Sequence, residues 1–277
     1  MPAIQILKKK LKGIRSTQKL TKAMKTVAAV KFSKLSGMYN DFSAYGRQCA
    51  LLYQDYKEEL ISYFPQGDPD APVCVVVMGA NKGMCGSFNA ELLNFARAQL
   101  AKLDRPYLLV ACGKKVISYF KEKKQPIDQE LIFDDVPTYE DGARLLELLA
   151  GWKAEKKIST IHMVFPHYIN TVIQRPTMET LFELDPHEKK HKHGDVLFVP
   201  DRPTILEKTA DNIFRSLMFQ VVLETALGAQ AATLMTMRSA YDTATEYSQR
   251  LETQINRQRQ SAVTADVIET SAERKEQ

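Results

Sequence analysis

Apolar residues return at alternating steps of three and four from the start of the chain. One such seam runs through Ile4, Leu7, Leu11, Ile14, Gln18, Thr21, Lys25, Ala28, Phe32, Leu35, Tyr39, Phe42, Gly46, Cys49, Tyr53, Tyr56 and Leu60. A mean step of 3.5 residues over so many turns marks a coiled coil rather than an ordinary surface helix. Unbroken, this helix would reach roughly 85 Å at 1.5 Å per residue. A second, thinner seam passes through Leu227, Gln230, Leu234, Met237, Tyr241, Ala244, Ser248, Leu251, Ile255, Gln258, Ala262 and Ala265. Its small and polar members lower stability but let two backbones approach closely. Either helix alone would expose its stripe to water, so the two are predicted to pair. A compact domain joins them, which makes antiparallel pairing the simplest arrangement. Phe32, Leu35, Leu234 and Met237 are then expected to be buried in the seam.

Proline placement sets the boundaries. No proline falls between Pro2 and Pro65, and none follows Pro203. Helix interiors exclude proline because it lacks the N–H and clashes with the preceding turn. The predicted organisation is a helix over 1–64, a mixed domain over 72–203 and a helix over 204–277. Within the middle, Val73–Gly79, Pro106–Gly113 and Ser159–Phe165 are short continuous apolar runs, the pattern of strands buried on both faces. Helical patterns over Phe88–Leu103, Lys114–Lys123 and Tyr139–Lys156 alternate with them, which predicts βαβ units and a small, largely parallel sheet. Strand-like pieces near Val172–Leu184 and Val196–Val199 are expected to extend it. The fold class is therefore α/β (Rossmann-like) with an antiparallel coiled coil of the two terminal helices.

Composition narrows the function classes. With 44% apolar and 26% charged residues the chain reads as a soluble globular protein, and no run approaches eighteen uninterrupted apolar residues. The N-terminus lacks the apolar core of a secretory signal. Cys49, Cys74, Cys85 and Cys112 are scattered, as reduced thiols would be, without a C-x-x-C pair. The net charge of +5 hides a polarity: residues 1–40 carry ten Lys or Arg and no acid. Such an arm suits nucleic acid, an anionic membrane surface or an acidic protein sleeve. Its membership of a coiled coil favours the sleeve, and a nucleic-acid-binding coiled-coil protein is the competing class.

Candidate chemistry is sparse. The turn Gly79–Asn89 (GANKGMCGSFN) is the most enzyme-like feature. A phosphate-binding loop would need glycine at Met84 and lysine at Cys85, and G-x-G-x-x-G fails at Asn81, so a structural turn is favoured. His187, His191 and His193 have chelating spacing, but the interleaved lysines repel a cation. His162 and His167 have no Ser or Cys partner in a recognisable arrangement. No catalytic constellation and no cofactor are expected.

Three segments in order resemble one family. Ile14–Lys34 (IRSTQKLTKAMKTVAAVKFSK) resembles the N-terminal signature of the ATP synthase gamma subunit, with its TQKITKAM-like core. Val75–Asn89 resembles the central strand and turn, usually nearer SSDRGLCGGLN. Ala226–Glu269 resembles the C-terminal helix with its NATDNA-like and N-x-x-RQ-x-x-[IV]T elements. The resemblance implies a rotary central stalk inside a ring of alpha and beta subunits, its globular part sitting with the epsilon subunit on a membrane c-ring. It implies no catalysis by this chain, no nucleic acid partner and only indirect membrane association. By position, Lys22, Met24 and Lys25 would face the beta subunits' acidic lever, and Arg259, Gln260 and Thr264 would contact the beta subunits from the C-terminal helix. Departures are the polar tail SAERKEQ, and Val196 and Val199 where relatives often show Tyr and an acid. The absence of a presequence and of a chloroplast-type cysteine insertion points to a bacterial member on the inner face of the plasma membrane.

Overall fold

The computed structural model describes residues 2–182, 198–199 and 201–273. His187, His191, His193, Val196 and the last four residues lie outside the described residues. Eleven elements follow in order among the described residues: α1 (Pro2–Asp55), α2 (Lys57–Ser62), β1 (Val73–Met78), α3 (Phe88–Leu100), β2 (Tyr107–Cys112), α4 (Lys114–Glu122), β3 (Gln129–Leu131), α5 (Tyr139–Ala154), β4 (Ile161–Tyr168), β5 (Gln174–Leu181) and α6 (Arg202–Glu273). They form two compact units. One comprises Met1–Ala28 with Leu234–Gln277, the other Ala29–Thr233.

The larger unit is built on a five-stranded sheet in the order β3-β2-β1-β4-β5. β1 pairs in parallel with β2 and β4, and β2 with β3, while β5 runs antiparallel to β4. Every residue of β1 is buried, and alternate side chains enter opposite cores. Val73, Val75 and Val77 face Leu92, Ala96 and Leu100 of α3 and Val116, Ile117 and Phe120 of α4. Cys74, Val76 and Met78 face Leu145 and Leu149 of α5 and Ile213, Phe214 and Met218 of α6. Helices on both faces explain why the strand reads as a continuous apolar run rather than an alternating one. The predicted parallel strands stand, and β5 is the edge strand within the strand-like stretch that begins at Val172, whereas Phe198 and Val199, expected in a further strand, lie in none. The short β3 has no apolar signal. Its three residues QEL are all exposed or half-exposed: Leu131 packs at the margin of the core and Glu130 pairs with Lys121 of α4.

α5 begins with a capping box, in which Asp141 accepts from the Thr138 backbone N–H at 2.8 Å. Its first turn presses on α6 so closely that a Cβ on Gly142 would stand 2.7 Å from the Phe219 backbone. Within this unit α1 meets α6 through Leu35, which is buried with Phe219, Leu223 and Leu227, while Phe32, Tyr39 and Phe42 pack half-buried around them. The Phe42 and Phe219 rings meet edge to face at 5.0 Å. α6 is long and apolar enough to cross a bilayer by composition, yet most of its apolar window is buried within the fold, as in a core helix.

The smaller unit is a pair of helices. Arg15 donates to Glu252 at 2.9 Å, Gln18 to Thr245 at 2.8 Å, and the Lys25 ammonium lies 4.8 Å from the Tyr241 ring centroid. Numbers rise on α1 as they fall on α6, so the pairing is antiparallel, as the two seams predict. Every seam position named on α1 is buried or half-buried, while the neighbouring Lys8, Lys9, Lys10, Lys12 and Lys19 are exposed. On α6 Met237, Ala244, Ser248 and Leu251 are buried and Leu234 is half-buried. Of the four residues predicted to be buried in the seam, Leu35 and Met237 are fully so, and Phe32 and Leu234 in part. Beyond Ile255 the α6 seam fades: Gln258 and Ala265 are exposed and only Ala262 remains half-buried.

Candidate functional site

In doubly wound sheets a ligand enters the crevice beyond the strand ends where the strand order reverses. Here that point lies past β1, whose neighbours β2 and β4 lie on opposite sides, and the turn after β1 closes it. A Cβ on Gly79 would come within 2.7 Å of Val116 and 2.9 Å of Leu92. Gly113 adopts φ +96°, and a Cβ there would meet the Gly79 carbonyl oxygen at 2.3 Å. These glycines let two turns pass at contact distance, which is packing rather than phosphate recognition. The first amides of α4 are already engaged. Lys114 N–H donates to Asn81 Oδ1 at 3.2 Å and Lys115 N–H to the Ala80 carbonyl at 3.1 Å. Ala229 of α6 packs with Ala80, Cys85 and Phe88 over the turn. The space left between the turn, Phe133–Asp135 and α6 is about 50 Å³, far below the roughly 300 Å³ at which ligand pockets begin.

Charge concentrates beside this turn. Asn81 Nδ2 donates to the Phe133 carbonyl at 2.6 Å, and Lys82 Nζ donates to Asp135 Oδ2 at 2.7 Å. Lys31 of α1 donates to the same oxygen. Burial raises the Asp135 carboxyl, but the hydrogen bonds and charges of Lys31 and Lys82 outweigh it and hold the group below the ordinary carboxylate value. The hydrogen bond and charge of Asp135 push the Lys82 ammonium upward. A second polar tie joins β4 to α6, where His167 Nδ1 lies 2.8 Å from Glu224 Oε2. Glu224 also accepts from the Tyr168 N–H at 3.3 Å and from Gln220 Nε2 at 3.0 Å. These pairings are not legible in the sequence, because Lys31 and Asp135 stand 104 positions apart, and His167, there without a recognisable partner, lies 57 from Glu224. No local spacing links them.

The residues singled out by resemblance all lie in the helical pair. Lys22 is exposed, and Met24 and Lys25 are half-buried. Arg259, Gln260 and Thr264 are exposed, the Thr264 hydroxyl donating to the Gln260 carbonyl at 2.9 Å. The structure does not bring the two groups together. Lys25 sits against Tyr241, and Arg259 follows eighteen residues later on α6, about 27 Å along a helix at 1.5 Å per residue. They form two levels on one paired rod.

The family model described as ATP synthase matches residues 3–272. The ATP synthase gamma chain of Gemmatimonas aurantiaca is 30% identical over 278 residues, covering 95% of this chain and 94% of that protein. That of Rubrobacter xylanophilus is 26% identical over 282 residues, covering 98% and 97%. Among solved structures, a chain of the Euglena gracilis mitochondrial ATP synthase rotor in rotational state 1 shares the fold. It gives a TM-score of 0.66 at 17% identity, with 95% of this chain and 99% of that one covered. The glycine turn that packs instead of binding, the antiparallel helical pair and the whole-length matches agree: the chain belongs to the ATP synthase gamma-chain family, a rotary structural subunit of a membrane-associated synthase and not an enzyme by itself.

Proposed function

We propose that the helical pair of this chain turns inside a ring of alpha and beta subunits and presents its two levels to the beta subunits in succession. The globular unit, with an epsilon subunit, rides on a membrane c-ring, at the cytoplasmic face of a bacterial plasma membrane. The observation that carries this reading is the exposure of the residues at both levels, Lys22 beside half-buried Met24 and Lys25, then Arg259, Gln260 and Thr264. Val263 and Val267 are also exposed where the α6 seam fades, as a helix end covered by other chains requires. Each angular position lowers the energy of one state at a catalytic site, so rotation shifts populations by differential contact. All chemistry on ATP stays with the beta subunits.

Lysine suits such a contact. Its compact, hydrated charge on a flexible stem makes and releases a carboxylate more readily than the bidentate fork of arginine. A cation held too tightly at one angle would deepen that well and slow escape about tenfold per 1.4 kcal/mol. Replacing Met24 by Lys or Arg is therefore expected to impair coupling more than assembly, and Lys25→Glu to weaken the contact by like-charge repulsion. The assay is ATP hydrolysis alongside ATP-driven ion pumping in membranes carrying each variant. Equal loss of both, tracking the amount of assembled complex, would reduce these residues to a role in assembly alone.

A further inference from the structure

We propose that Asp135 is a positioning residue that locks α1 to the sheet, so that torque passes between the globular unit and the helix through one carboxylate shared by two ammonium groups. The inference rests on the rotary reading above. Lys31 and Lys82 reach the same oxygen, Oδ2, from different elements: Lys31 from α1 and Lys82 from the turn after β1. The Asp135 side chain is only 16% exposed and that of Lys31 29%, whereas Lys82 is 71% exposed. Screening by water is thus weakest on the α1 side of the bridge, where the mechanical tie is needed.

The carboxylate cannot simply follow the helix. Its loop is held two residues earlier, where Asn81 donates to the Phe133 carbonyl, and Asn81 itself accepts from the first amide of α4. Two consecutive turn residues, Asn81 and Lys82, therefore anchor the loop to the parallel core of the sheet. The neighbouring contacts of α1 with α6 are apolar: Phe32, Leu35 and Phe42 against Phe219, Leu223 and Leu227. Apolar packing is non-directional and opposes separation more than it opposes sliding or turning about the helix axis. A charge-assisted hydrogen bond fixes direction as well as distance. Lys31 also lies only three residues past Ala28, the last α1 residue assigned to the smaller unit. The bridge thus grips α1 close in sequence to that boundary.

The test uses complexes assembled from the full chain with its alpha, beta and epsilon subunits and the membrane ring, comparing Lys31→Gln, Asp135→Asn and Lys31→Arg. Equal assembly is expected for all three. Ions pumped per ATP hydrolysed should fall about twofold or more in the first two, as a lost half-buried ion pair allows the helix to slip, and recover in Lys31→Arg. An unchanged ratio, or loss of hydrolysis and pumping in step with assembly, would overturn the proposal. If Asp135→Asn fails to fold, Lys31→Cys combined with Asp135→Cys decides. The four native cysteines are buried, so a thiol-reactive cross-linker should join the introduced pair. Cross-linking should restore the pumped-ion ratio that the uncross-linked pair has lost, since it closes the lock covalently, and an unrestored ratio or arrest on cross-linking would refute it. Failure of the unmodified chain to assemble would instead refute the rotary reading, and this inference with it.

Discussion

A carboxylate gripped by two lysines and a thiol sealed in a core respond to pH in opposite directions. Asp135 is held below its ordinary value, so its stabilising contribution is present above the unfolded pKa and disappears as pH falls through the lower folded value. Asp135→Asn should lower the melting temperature at neutral pH, and the two proteins should converge as pH falls below the lowered folded value of the carboxyl. Cys74 is raised by burial, then by the nearby Asp128, to about 12 from the ordinary 9.0. Burial raises the fully buried Cys112 as well. For these groups stability is complete below the unfolded value and is lost as pH rises toward the folded one, because only the unfolded chain can ionise. Alkaline melts should therefore show stability declining from about pH 9 upward. Cys74→Ala should flatten that decline, and an equally steep slope in the variant would contradict the assignment.

At the scale of elements, fit rather than propensity decides. Gly113 combines a left-handed φ of +96° with a carbonyl 2.3 Å from its prospective Cβ. Gly113→Ala is therefore expected to cost about 3 kcal/mol or more, since backbone strain and a clash with immobile main chain add. Chemical denaturation would measure it. Leu223 is fully buried where α1, α6 and Phe219 meet, so Leu223→Ala should cost about 2–5 kcal/mol through lost burial and a residual cavity. The same substitution at exposed Val267 should change the stability of the isolated chain by less than about 0.5 kcal/mol. Its effect, if the chain end is covered in the complex, belongs to assembly. Comparing the two variants free and assembled separates folding from docking.

For the whole molecule, the two contact levels have different neighbours. Lys25 rests on Tyr241, and Gln260 lies about 28 Å further along α6 at 1.5 Å per residue. Sites so far apart without shared partners normally add. Lys25→Glu and Gln260→Ala are accordingly expected to change the hydrolysis rate additively in logarithmic terms, within about 0.5 kcal/mol. A larger coupling energy in the double-mutant cycle would mean that the levels act as one unit through the surrounding ring. The isolated chain should not hydrolyse ATP, because no phosphate-binding loop follows β1 and the crevice there, narrowed by α6, leaves about 50 Å³. Turnover by pure protein, abolished by Lys82→Ala, would contradict this.

Periodicity alone determined much of this architecture. A stripe of 3.5-residue steps has only one side to bury, so the seams from Ile4 to Tyr53 and from Leu227 to Ile255 were legible without any knowledge of the partner helix, but not the break at Tyr56, after which Leu60 belongs to the separate α2 and enters the core of the sheet. β1 and the core of β2 and β4 were legible for the related reason that strands covered on both faces carry no polar alternation. The edges were not. β3 lies at the sheet edge, where of its three residues only Leu131 reaches the margin of the core, and the antiparallel direction of β5 depends on the tight turn after Tyr168, where the Asn170 carboxamide accepts from the Val172 and Ile173 amides. The role of the glycine turn was half legible. Its spacing spoke against phosphate, but only the fold shows α6 lying across the strand end where a ligand would enter. The lock at Asp135 was not legible at all. A sequence records neighbours along the chain, whereas Lys31, Lys82 and Asp135 become neighbours only after the sheet, its turns and α1 have closed around one carboxylate.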